Sequence, residues 1–172
     1  MSGEKRIRVL YVVSGVSHEG IGSYLLNVVK NIDKDKFEIS FALATDYKQA
    51  HEDKLLELDC NIYRTAEIGN GVKGKILHFV NLIRLIKKDE PFDILHTHMD
   101  FFNGINLLAA YIGKVPVRIS HGHLDLGNQN INMIKKLYNY LMKVIIKICC
   151  NYKLGCSLEA NKYINCNFLF SF

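Results

Sequence analysis

Ile7-Arg8-Val9-Leu10-Tyr11-Val12-Val13, followed by the loop Ser14-Gly15-Val16-Ser17-His18-Glu19-Gly20-Ile21-Gly22-Ser23 and then by Tyr24-Leu25-Leu26-Asn27-Val28-Val29-Lys30-Asn31-Ile32, is the stretch that decides the fold. Its first part is apolar and β-branched, with no polar face beyond Arg8, which is the pattern of a strand covered on both sides, as in a parallel sheet. Its last part sets Leu25, Val28, Val29 and Ile32 at i, i+3, i+4 and i+7, one face of a helix. The loop between them carries Gly15, Gly20 and Gly22. Glycines let backbone N–H groups approach a ligand, and a helix start favours negative charge, so the loop is a candidate phosphate cradle. The spacing G-x4-G-x-G is neither the dinucleotide fingerprint G-x-G-x-x-G nor a P-loop, and a plain turn entering a helix is the alternative reading.

The rest of the chain repeats this strand-then-helix pattern. Strands are predicted at Phe37–Ala44, Asn61–Arg64, Phe92–His98, Pro116–Ser120 and Tyr152–Cys156. Helices are predicted at Gln49–Leu58, Lys75–Lys88, Phe101–Ile112 and Ile131–Asn151, with Ser157 to Ala160 opening a last one. Gly69 to Gly74 reads as a loop; in the helix after it Ile76, Phe79, Val80, Ile83 and Ile86 or Leu82 are expected to face inward. Gly113 fits the left-handed residue after a helix. Alternation of this kind specifies an α/β fold, a parallel sheet with right-handed crossovers. Ligands of such sheets sit beyond the carboxyl ends of the strands, where the glycine loop, His96-Thr97-His98 and His121-Gly122-His123 all fall.

Composition narrows the classes. At 172 residues the chain can bury one sizeable core, and with 49% hydrophobic residues it is not disordered. The net charge of +5 permits an acidic ligand or an anionic membrane surface without requiring either. Five cysteines without C-x-x-C spacing read as reduced thiols. The amino-terminal M-S-G-E-K-R-I-R lacks the apolar run of a secretory signal, and Lys interrupts each long apolar run, so a cytoplasmic protein is expected. Zinc-finger spacings, RNA-binding signatures and aromatic-basic stripes are missing, and nucleic acid is not an expected partner.

Each H-x-H pair closes a strand, and residues i and i+2 of a strand point to one side, so each pair can converge on a ligand. Imidazoles there can bond sugar hydroxyls or phosphate, or act as a general base near pH 7. Four histidines also suit Zn²⁺, and with Asp100 and Asp125 nearby in sequence a metal-dependent hydrolase is a rival reading. A third reading, for His98 above all, is a histidine that only bonds to backbone. Neither Ser14 nor Ser120 lies in G-x-S-x-G, which disfavours a serine hydrolase. The helix from Ile131 has an apolar stripe of Ile134, Leu137, Leu141, Val144, Ile145 and Ile148 beside Lys136, Lys143 and Lys147. It suits an anionic membrane surface, but the stripe is expected to cover the sheet, leaving a solvated Lys face.

In this order, the glycine loop, D-I-L-H-T-H, V-R-I-S-H-G-H, the basic helix and L-G-C-S-L-E-A resemble the amino-terminal domain of family 4 glycosyltransferases, the bacterial capsular and exopolysaccharide enzymes in particular. The likeness runs from Ile7 to about Ile164. It implies the Rossmann-like, acceptor-side half of a GT-B fold, whose other half holds most of a nucleotide-sugar such as a UDP-sugar. It implies transfer with retention, without a metal or other cofactor, to a saccharide or lipid-linked acceptor. Carried over by position, Gly20 matches the glycine that approaches the donor diphosphate, although Glu19 stands where the family has a second glycine. His121 or His123 matches the histidine near the transferred sugar, and Arg118 a basic position at its strand's end. Gly15, Gly22, His96 and His98 complete the expected substrate-binding set.

The domain expected is residues 1–165, with an apolar tail at 166–172 that resembles a truncation product. A carboxyl-terminal donor domain would lie beyond it, and the chain alone is expected to transfer sugar poorly or not at all. Peripheral contact with the inner face of a membrane would run through the 131–151 helix. A non-catalytic domain of the same fold is one rival; a nucleotide-dependent oxidoreductase is another, disfavoured by the absent fingerprint and by having only Asp46 to close the second strand.

Overall fold

Both faces of the first strand are buried, and its alternation divides the core. The computed structural model describes residues 5–18, 20–88, 90–123 and 132–165. In β1 (Ile7–Val13), Leu10 and Val12 enter one cluster with Leu82, Ile86, Leu95, Leu107 and Ile146, while Val9, Tyr11 and Val13 enter another with Leu25, Val29, Phe41 and Leu55. Each such side chain contributes about 1.5–3 kcal/mol when fully buried. The elements that follow are α1 (Ile21–Asn31), β2 (Phe37–Leu43), α2 (Glu52–Glu57), β3 (Asn61–Arg64), α3 (Gly71–Ile86), β4 (Ile94–Thr97), α4 (Asn103–Ile112), β5 (Val117–Gly122), α5 (Met133–Cys149), β6 (Tyr152–Gly155) and α6 (Leu158–Asn165). A 3-10 turn at Asp100–Phe102 leads into α4.

All six strands run parallel in one sheet, ordered β3-β2-β1-β4-β5-β6. The chain builds outward from β1 through β2 to β3, then returns to place β4 on the other side of β1. The order therefore reverses between β1 and β4, the switch point where open sheets of this kind leave a crevice. This is the Rossmann-like α/β architecture with helices on both faces.

Three local expectations are corrected. First, α3 begins at Gly71 and buries Gly74, His78, Leu82 and Ile86, whereas Ile76 is 59% exposed. A Cβ on Gly74 would lie 2.2 Å from the Glu67 carbonyl oxygen, so the glycine lets this turn pack on the chain after β3. Second, Gly113 is right-handed, and the left-handed residue is Lys114, at φ 60°. Gly113 is needed for space instead, since a Cβ there would meet Ile86 Cγ2 at 2.3 Å. Third, the apolar stripe of α5 covers the core only in part, with Val144 and Ile145 half-buried and Ile145 packed against it. Asn139, Met142, Ile146 and Cys149 are its buried residues, while Ile134 is 81% and Ile148 67% exposed, with Leu137 and Leu141 also exposed. The reason is Gly104 on α4, whose missing Cβ admits Met142: the two would stand 3.0 Å apart at Met142 Sδ. Close approach to that glycine sets the rotation of α5, not the count of apolar residues. The start of the helix at Ile131, the loop at 124–130 with Asp125, Glu19 and the tail at 166–172 lie outside the described residues.

Candidate functional site

Register and alternation bring the two H-x-H pairs together. Thr97 of β4 pairs with Ser120 of β5, and His96 lies beside Tyr11 of β1. The odd-even alternation then puts His96, His98, His121 and His123 on the Tyr11 side, with Thr97 and Ser120 on the other. Ring centroids are 4.2 Å apart for His96–His98, 4.7 Å for His98–His121 and 4.5 Å for His121–His123. His98 Nδ1 lies 2.9 Å from His123 Nε2, and His121 Nδ1 lies 3.3 Å from His96 Nε2. In each pair one ring donates its N–H and the other accepts on a bare nitrogen, which requires a neutral acceptor and is met with both rings neutral.

Burial imposes that state. It pushes His96 down to about 3 and His121 to about 4, with neighbouring imidazoles pushing the same way. His98 is driven lower still, by burial first and then by His96, His121 and His123. His123 is lowered by burial, against the pull of Asp100, whose Oδ1 accepts its backbone N–H at 2.8 Å. These rings are thus hydrogen-bonding groups at pH 7, each able to give or take one bond, and a proton costs them energy. His98 Nε2 is buried without a partner. His96, His98 and His121 each offer a ligand atom within 4.8 Å of the others, so the cluster has room for a shared divalent ion, with no carboxylate in that group.

The glycine loop reaches the same edge. Tyr24, in the first turn of α1, sets its half-exposed ring 6.2 Å from His98 and 6.0 Å from His121. Gly20 has φ +54°, a conformation that costs glycine little, and open space lies where a Cβ would be. Gly22 is a packing glycine: a Cβ would lie 2.1 Å from the Ser17 carbonyl oxygen, so it lets the loop fold onto α1. Gly15 supports the amide of Gln49, which lies where its Cβ would be.

Arg118 does not join them. It lies at the opposite end of β5 and on the opposite face from His121, because the strand runs from Val117 to Gly122. Its Nε donates to Cys149 O at 2.5 Å and its Nη1 to Val115 O at 2.6 Å, while the guanidinium stacks 5.5 Å from Tyr111. It fastens the carboxyl end of α5, and the expectation of a substrate-binding arginine is corrected.

No family model matches the chain. It is 28% identical over 158 residues to EpsF of Bacillus subtilis (strain 168), whose own assignment as a glycosyltransferase is provisional; the match covers 91% of this chain and 40% of EpsF. It is 24% identical over 143 residues to the capsular polysaccharide biosynthesis glycosyltransferase CapH of Staphylococcus aureus, covering 83% of this chain and 38% of CapH. The chain thus spans about two fifths of the length of the curated relatives it matches. Among solved structures it superposes on a K341M mutant of the O-GlcNAc transferase of Thermobaculum terrenum, with TM-score 0.50, 18% identity and coverage of 69% of this chain and 22% of that one. It also superposes on a short-chain dehydrogenase/reductase of Veillonella parvula in complex with NADP, with TM-score 0.54, 7% identity and coverage of 86% and 67%. At such identities the likeness to both structures is one of fold.

Beneath the rim lies a set of residues that sequence reasoning missed. Thr65 Oγ1 is 2.6 Å from His78 Nδ1, and His78 Nε2 is 2.8 Å from Asn106 Oδ1. Asn106 Nδ2 donates to Thr97 Oγ1, which donates to Asn103 Oδ1, both at 2.8 Å. Asn103 Nδ2 donates to Ser120 Oγ and to His121 O, both at 3.1 Å, and its Oδ1 also takes the Met99 N–H at 2.7 Å. Burial lowers the pKa of His78, with the bond to Asn106 opposing. A continuous buried chain therefore joins the ends of β3, β4 and β5 and holds the histidine-bearing strands in place. Its sequence signal was two asparagines at i and i+3 on the otherwise apolar α4, polar groups that had to find partners.

Proposed function

We propose that this chain is the acceptor-side, Rossmann-like part of a retaining glycosyltransferase of cell-surface polysaccharide assembly, using a nucleotide-sugar such as a UDP-sugar. The observation that carries the reading is the meeting of Tyr24, in the helix turn that follows the glycine loop, with one histidine of each H-x-H pair beside the switch point between β1 and β4. The relatives EpsF and CapH support the reaction class.

On this reading the donor diphosphate rests at Gly20 and the first N–H groups of α1, where the helix favours negative charge. Neutral His121 and His123 bond hydroxyls of the sugar being transferred and do not attack it. The acceptor oxygen forms a bond to the anomeric carbon, and the bond from that carbon to the phosphate oxygen breaks. The nucleoside diphosphate leaves with the electron pair on the face that the acceptor approaches, and its leaving phosphate oxygen takes up the proton that the acceptor hydroxyl gives up. A donor-side domain, corresponding to the rest of the relatives' length, would close over this rim, so these 172 residues alone bind donor without turnover. No metal takes part in this scheme. The exposed apolar and Lys-bearing face of α5 would rest on the cytoplasmic face of a membrane and bring a lipid-linked acceptor to the rim.

Amide NMR of the full chain titrated with UDP-glucose and UDP-N-acetylglucosamine tests the donor site. Shifts are expected at Gly20 to Ser23 and at His121 to His123. Saturating nucleotide-sugar that leaves both segments unmoved would sink the reading.

A further inference from the structure

A second recess opens on the other side of β1 from the histidines. Gly15 and Ser17 after β1, Thr45 and Tyr47 after β2, and Gln49 and Glu67 line a cleft of about 200 Å³. It too lies beyond carboxyl ends of strands. It is smaller than the roughly 300–1,000 Å³ of sites for larger ligands, a size for one small ring.

Its walls are built. Gln49 N donates to Glu52 Oε1 at 2.7 Å, and Glu52, only 5% exposed, takes Arg64 Nη2 at 3.0 and 2.8 Å on its two oxygens. The His51 N–H bonds Val16 O at 3.0 Å and ties this segment to the loop after β1. The Gln49 amide can lie over Gly15 only because that residue has no Cβ, which would stand 2.5 Å from Gln49 Oε1. Opposite, Glu67 Oε1 accepts the Gly69 N–H at 3.0 Å, and this bond above all holds the carboxyl below the usual carboxylate range. Tyr47 stands at the mouth, 67% exposed, a large ring outside both hydrophobic clusters.

The lining offers an amide, an ionised carboxylate, hydroxyls and one aromatic face, with no Lys or Arg among the described residues that line it. That set suits a neutral ring bearing several hydroxyls, and it is a poor match for a phosphate. We propose that this cleft binds the terminal sugar of the acceptor, with Glu67 and Gln49 bonding its hydroxyls and Tyr47 stacking on its apolar face. The inference rests on the transferase reading above and adds to it the class of ligand and the residues that select it. The loop after β1 is the shared wall: Gly15 and Ser17 line the cleft, and Tyr24, in the helix that follows the loop, lies beside the histidines. Acceptor and donor would meet across it.

The test titrates the full chain with the methyl β-glycosides of glucose, galactose and N-acetylglucosamine, and separately with UDP, reading amide shifts. At least one glycoside is expected to move Gly15, Thr45 and Gly69, and UDP is expected to leave them unmoved. Glu67→Gln and Tyr47→Ala should each weaken that glycoside about tenfold, Tyr47→Phe should restore it, and none of the three should alter the response to UDP. The proposal is overturned if no glycoside moves the cleft, if both weakening variants bind as the parent does, or if UDP occupies the cleft. Glycoside shifts in the cleft together with silence of Gly20 to Ser23 toward UDP would uphold it and count instead against the donor site.

Discussion

Acidification should unfold this protein through its histidines, and the size of the effect follows from the rim. An unfolded imidazole takes up its proton near pH 6.5. In the folded chain His121 does so at about 4, His96 at about 3, and His98 lower still, because burial and adjacent rings disfavour the charge. The folded values lie below the unfolded one, so the unfolded state binds more protons as the pH falls. The stability these groups supply is complete above about pH 6.5 and is lost progressively below it. Between pH 7 and pH 5 each of the three costs about 2 kcal/mol, together about 6 kcal/mol, comparable with the entire stability of many domains. His51, His78 and His123 are lowered too and act in the same sense.

Urea unfolding followed by far-UV circular dichroism reads this directly, and the absence of Trp makes it the natural probe. The slope near pH 5.5 should approach roughly 4 kcal/mol per pH unit. His121→Gln should lower that slope by about a third while the protein remains folded at pH 7.5. Stability that stays level from pH 7 to pH 5, or a slope untouched by His121→Gln, would refute the picture of a neutral histidine cluster.

Other substitutions probe the supports of the site. Asn103→Ala removes a side chain that takes the Thr97 hydroxyl and Met99 N–H and donates to Ser120 Oγ and His121 O; urea unfolding at pH 7.5 should show a loss of about 3 kcal/mol. Gly22→Ala would set a methyl 2.1 Å from the Ser17 carbonyl oxygen, costing about 1–3 kcal/mol and, on the donor reading, abolishing nucleotide-sugar shifts at Gly20 to Ser23. The chain should co-sediment with phosphatidylglycerol vesicles and not with pure phosphatidylcholine, and salt should release it. Ile134→Asp with Leu137→Asp should abolish that binding at unchanged melting temperature, since both side chains are exposed; undiminished binding would clear α5 of the role.

What the sequence made legible follows the two backbone periods. The strand Ile7–Val13, buried from Val9 onward, the following helix, and the placement of each H-x-H pair at a strand's carboxyl end all come from spacing within one element. What it left hidden depends on partners far along the chain. The asparagines of α4 reach His78 and Ser120, and the face α5 buries is chosen by Gly104 on a different helix. The resemblance gave Arg118 as a basic position at its strand's end, but alternation and strand direction send it to the far end and face, against Cys149 O. The histidines show the same division in their chemistry. Spacing alone leaves each a free imidazole with a pKa near neutrality, suited to general base work. Pairing β4 with β5 sets His98 against His123 and His121 against His96, and burial then pushes the rings toward the neutral form. A cluster so arranged can bond hydroxyls at neutral pH and resists holding a proton, so on the transferase reading the long-range packing favours these residues as positioning groups over proton acceptors.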